Sequence, residues 1–100
     1  MLFTPTTVME RMIEQRIKDL RPMAYAQMKA DGTLAQVIDA RITYWGMTYG
    51  ELLELDDPTP LLQMQDQLKK EQAMEMRLRR LWEEAMHQAL DFTPEDETID

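Results

Sequence analysis

From Leu61 to Leu90 the chain contains neither glycine nor proline. These are the two strongest local breakers of a helix, so a long stretch free of both, with apolar side chains at helical spacing, is expected to be one helix. Met74, Leu78, Leu81, Trp82, Ala85 and Ala89 form a broad stripe in its second half. Its first half, from Gln63 to Gln72, is mostly polar, with Met64 and Leu68 as the main apolar contacts. A helix over about 61–90 is roughly 45 Å long at 1.5 Å per residue, whereas a compact globule of this chain length has a radius of gyration of about 13 Å. The helix is therefore expected to protrude and to meet either another protein or, by self-association, a second copy. A bend near residue 70 that folds it back is the alternative. Opposite charges four residues apart, Asp66 with Lys70 and Glu75 with Arg79, support the helix. The heptad pattern fails at Glu71 and Glu75, so a regular coiled coil is not expected.

The preceding residues divide into shorter helices. Met9, Met12, Ile13, Ile17 and Leu20 recur at helical spacing after Thr4-Pro5, and Pro22 should end that helix. Met23 to Ala30 gives a second piece, stopped by Asp31-Gly32. Thr33-Leu34-Ala35-Gln36 has the form of a capping box and opens an amphipathic helix with Leu34, Val37, Ile38, Ile42 and Trp45 on one face. Gly46 is expected to stop it, and Thr48-Tyr49-Gly50-Glu51 to start the next. Asp56-Asp57-Pro58-Thr59-Pro60 is a further break. The expected fold is all-α: a small helical domain of four to five helices over residues 1–90, with a long C-terminal helix and a solvated acidic tail over 91–100.

Charge and composition exclude several functions. Five of the nineteen acidic residues lie in the last ten positions, leaving fourteen against eleven bases in the body. An acidic balance opposes nonspecific nucleic-acid binding, which depends on neutralising phosphates. Arg77, Arg79 and Arg80 interleave with Glu75, Glu83 and Glu84, which suggests a salt-bridged face rather than a phosphate-binding one. The chain has no cysteine and no serine, so neither nucleophile is on offer. No glycine-rich phosphate loop exists. Glu84 and His87 share the Glu-x-x-His spacing of carboxylate-bridged metal bundles, but His87 lies opposite the apolar stripe, which makes it a surface histidine. No enzyme activity, cofactor or metal is expected. With no membrane-length apolar run and no leader pattern, the expected location is cytoplasmic.

The most distinctive segment is Trp45-Gly46-Met47-Thr48-Tyr49-Gly50-Glu51-Leu52, followed by Leu55-Asp56-Asp57-Pro58 and a charged helix. Over residues 41–90 this outline resembles the C-terminal part of phage tail-assembly chaperones: an aromatic-Gly-x-Thr-aromatic turn, a Leu-acid-x-Pro break, then a charged helix. Residues 1–40 lie outside it. The resemblance implies a holdase that coats another protein during assembly, with Trp45, Tyr49, Leu52 and Leu53 as contact candidates. Met64 and Leu68 on the long helix complete the expected contact set. Ten methionines are more than a core of this size needs, and although core filling is the better account of most of them, the excess leans toward an adaptable binding surface. Gly46-Met47-Thr48-x-x-Glu51-Leu52 also resembles the opening of repressor-type helix-turn-helix domains, but Asp56 to Pro60 stands where their recognition helix would begin. The expected function is thus a non-enzymatic interaction or assembly factor. The alternatives are an acidic decoy filling a basic groove and a helix-turn-helix regulator.

Overall fold

The computed structural model describes residues 4–95, which form five helices: α1 (Thr6–Leu20), α2 (Pro22–Asp31), α3 (Leu34–Leu55), α4 (Thr59–Leu62) and α5 (Gln67–Ala89). There is no strand among the described residues, and the all-α fold expected from the periodicities is the one found.

Met9, Ile13 and Ile17 line up on α1 because residues four apart share a helix face, and all three are buried. Pro22 ends α1 as expected. Having no amide to satisfy, it then takes the first position of α2. Arg21 between them is held out of the helical region (φ −136°, ψ 65°), since a proline ring crowds an α conformation in the residue before it. Gly32 closes α2 at φ 80°, and the Thr33 amide reaches back to the Met28 carbonyl at 3.0 Å. The capping box expected at Thr33 does not form. Its hydroxyl donates instead to the Asp31 carboxylate at 2.6 Å, and its amide donates to the same oxygen at 3.0 Å. Asp57 and Thr59 repeat this arrangement before α4, at 2.6 and 2.9 Å.

The stop expected at Gly46 and the start expected at Thr48 are both absent, because α3 runs unbroken from Leu34 to Leu55. A helical glycine costs only about 1 kcal/mol relative to alanine. On either side of the glycines, α3 buries Trp45 and Thr48 and half-buries Tyr49 and Leu52, which outweighs that cost. Beyond the chain neighbours and the helix's own backbone, no atom lies within 4 Å of where a Cβ would stand at Gly46 or Gly50. Replacing both with alanine is therefore expected to raise the unfolding free energy by about 1–2 kcal/mol in total, and Gly32→Ala, at positive φ, to lower it by about 1 kcal/mol. Urea denaturation of the two variants checks both signs.

The single helix expected over 61–90 is also corrected. One turn, α4, is followed by a break at 63–66, and α5 begins at Gln67 with the Asp66 carboxylate accepting the Lys69 amide at 3.2 Å. The break lets α4 fold back against α5 and half-bury Leu61 and Met64, which a straight helix would hold in solvent. The molecule is nevertheless elongated, with extents of 56 × 31 × 18 Å and a radius of gyration of 17.3 Å.

α3 is the central helix, and α5 runs antiparallel along it. Arg41 lies by Ala89, Trp45 by Trp82, and Asp56 by Arg77. Trp45 is wholly buried with Met9, Ile13, Ile17, Ile38 and Ala85. Its indole donates to the Trp82 carbonyl at 3.3 Å, and the two rings sit 5.3 Å apart. Tyr49 meets Trp82 edge-on at 5.1 Å.

Each of the paired helices also holds the other's C-terminal end. Arg77 of α5 donates to the Asp56 and Leu53 carbonyls at 3.1 and 3.4 Å and pairs with the Asp56 carboxylate. Arg41 of α3 donates to the Ala89 and Asp91 carbonyls at 3.5 and 3.4 Å, with its guanidinium 4.1 Å from the Phe92 ring centre. A cation suits a helix C-terminus, where the last carbonyls lack partners.

The solvated tail expected from residue 91 does not hold for Asp91–Glu95. Arg21 donates to the Thr93 carbonyl at 2.8 Å, and the Glu95 carboxylate accepts the Ala24 and Met23 amides at 2.8 and 3.3 Å. The first amides of α2 lack helical partners and carry the positive end of its dipole, so a carboxylate is drawn there despite the local acidity. The rest of the expected tail, residues 96–100, lies outside the described residues.

Candidate partner-binding surface

The six residues expected to contact a partner are not brought to one surface. Trp45 is 0% exposed and has no surface to present. Tyr49 and Leu52 are half-buried against the core cluster, and Leu53 is half-buried beside the Arg77 clamp. Met64 is half-buried in the turn between α4 and α5. Leu68, on the first turn of α5, is well exposed. The aromatic segment 45–49, expected at a turn, is helical and faces the interior through Trp45 and Tyr49, because α3 continues through it.

The structure gathers a different set of apolar side chains. α3 ends at Leu55, whereas its neighbour Asp56 is already level with Arg77 and Arg80 of α5. The part of α5 before Arg77 therefore extends past α3, with α4 packed beside it, and makes an arm. Leu55, Leu62, Leu68 and Met76 all lie on this arm or at its root, each between 53% and 83% exposed. Sequence spacing missed Leu55 and Leu62 because the assumed break at Gly46 and the assumed continuity at 63–66 misplaced their helices, whereas Met76 already lay off the apolar stripe expected of the C-terminal helix.

Between α4 and α5 the arm holds an open groove of about 600 Å³, floored by Pro60, Leu61, Ala73 and Met76 and rimmed by Asp57 and Arg80. At its root Arg77 and Arg80 share the Asp56 carboxylate, with Arg80 at 3.2 Å. The Thr59 hydroxyl and then the Thr59 amide hold the Asp57 carboxyl below its ordinary pKa, so Asp57 stays charged at neutral pH. The groove thus has an apolar floor with one negative and one positive edge. Such a surface suits binding of a protein segment by burial and orientation.

Arg77 was missed as well. Grouped by sequence with a solvated basic face, it is buried and clamps α3. The signal was present: Arg77, Leu81, Ala85 and Ala89 repeat every four residues and form the buried face of α5. Glu84 and His87 stand exposed on the same helix. Among the described residues no group of three or more His, Cys, Asp or Glu could hold a metal ion. No helix among them is long and apolar enough to cross a membrane. No protein-family model, curated protein or solved structure matches the chain.

Proposed function

We propose that this chain is a non-enzymatic, cytoplasmic assembly factor of the chaperone type, which holds a segment of another protein in the groove between α4 and α5. The observation that carries this reading is the concentration of large exposed apolar side chains on an arm that the central core does not need for closure. Patches of this kind mark interaction sites when they are not spread singly over a surface. The resemblance to phage tail-assembly chaperones supports a holdase in particular. The break at Leu55-Asp56-Asp57-Pro58 and the charged helix after it are both present, although the aromatic segment that should form a turn is part of α3. The helix-turn-helix alternative loses its basis, since it requires a helix start at Thr48. The acidic-decoy alternative is weakened because Glu95 is engaged at α2.

Site-specific photo-crosslinking in a lysate of the native host tests the proposal. A photoreactive residue at Leu62 should give a discrete adduct with another protein, while the same residue at Met23 or Met47, more open than Leu62 but remote from the arm, should not. Equal adducts from all three positions, or none from Leu62, would overturn it.

A further inference from the structure

At the end of the molecule away from the arm, two segments distant in sequence fasten each other. α2 buries no side chain fully; only Ala24, Tyr25 and Met28 are half-buried, and its other residues are exposed. A ten-residue helix is marginal in water on its own, so α2 depends on contacts outside itself. Tyr25 and Met28 rest on the core cluster, the Tyr25 hydroxyl donates to the Glu14 carboxylate at 2.9 Å, and the Met23 and Ala24 amides donate to Glu95. Non-helical joints bound it on either side, at Arg21 and at the left-handed Gly32.

Residues 93–95 are dependent in the same way. Among the described residues, the last backbone–backbone hydrogen bond along the chain joins the Asp91 amide to the Gln88 carbonyl at 3.3 Å. Beyond it the chain is fastened by contacts that involve side chains, those to Arg21, Met23 and Ala24 among them. We propose that α2 and residues 93–95 form one lid, latched by Glu95, which opens as a unit while α1, α3 and α5 stay packed. Withdrawing the carboxylate leaves the first amides of α2 without an acceptor, and fraying of α2 takes from Glu95 the amides it holds. The root of the strap stays in place, because Arg41 grips the Asp91 carbonyl and lies over the Phe92 ring. Segments with few buried apolar contacts are the ones that open locally below the global unfolding free energy.

Opening lifts Tyr25 and Met28 off the core cluster and bares apolar surface on α1 and α3, the two helices against which α2 packs. It also couples the two segments: a partner that takes up either one in its released form favours release of the other. The lid lies at the opposite end of the α3–α5 pair from the groove, and it does not rest on the groove reading.

Amide hydrogen exchange on the whole chain, read by mass spectrometry, tests the latch. Glu95→Ala should speed exchange across α2 about tenfold and leave α3 and α5 unchanged. The converse is read at the strap, where the absence of other cysteines lets Pro94→Cys, at a half-buried position, report release by its rate of reaction with a maleimide. Adding Ala26→Gly, an exposed position in the middle of α2, should speed that reaction about fivefold, whereas adding Gln36→Gly, exposed on α3, should not. The proposal is overturned if Glu95→Ala leaves α2 exchange unchanged or raises it evenly in all the helices, or if Ala26→Gly has no more effect at position 94 than Gln36→Gly. Neither readout involves another protein, so its failure is distinct from failure of the Leu62 crosslink.

Discussion

Trp45→Ala is expected to lower the unfolding free energy by about 3–5 kcal/mol, the usual range for removing a buried aromatic. Several interactions are lost at once. Trp45 is the largest of the fully buried side chains, its ring packs at a tilt against Trp82, and its buried indole N–H finds its acceptor in the Trp82 carbonyl. A domain of this size is stable by only about 5–15 kcal/mol, so the variant should retain little margin. Trp45→Phe keeps most of the volume and gives up the hydrogen bond, so it should fall between the two. Guanidinium denaturation followed by circular dichroism checks this ordering. A Trp45→Ala protein as stable as the parent would contradict the placement of this residue at the centre of the fold.

Arg77→Met carries the second large effect, about 2–4 kcal/mol, somewhat below the usual loss on breaking a buried ion pair, because Asp56 retains some contact with water. Methionine preserves the packing of the aliphatic stem and removes the charge, so the loss reports the clamp itself. Asp56→Asn should cost less, about 1 kcal/mol, because Arg77 still reaches the two carbonyls at the end of α3. Arg80→Ala should cost still less, since most of that side chain lies in solvent. Thermal unfolding of the three variants should therefore rank them Arg77, Asp56, Arg80. A reversed order would place the anchor of the arm elsewhere.

Side-chain periodicity made much of this architecture legible, and backbone punctuation misled. Met9, Ile13 and Ile17 on α1, the stop at Pro22 and the left-handed Gly32 all follow from local rules, because each depends on residues within one or two turns. Gly46 and Gly50 do not obey those rules, since the fate of a helical glycine is decided by what the flanking turns bury, here against α5. The break at 63–66 has the opposite origin. No local breaker stands there, and the helix divides because α4 gains a surface to pack on and Asp66 supplies a cap. The candidate site was least legible. Leu55, Leu62 and Met76 belong to three helices, α3, α4 and α5, and their exposure depends on boundaries and packing that tertiary contacts set. The aromatic residues that drew attention at 45–49 serve the interior.

The docking of Glu95 on α2 bears on the order in which the chain acquires its structure. α2 has no buried side chain, and its first amides are satisfied by a carboxylate 71 residues further along. Chains are synthesised from the N-terminus, and contacts between distant positions form late. α1 and α3 have a shared apolar face to pack on as soon as both have been made, whereas α2 receives its cap only after all five helices exist. Residues 93–95 thus fasten a helix made early with a segment made late.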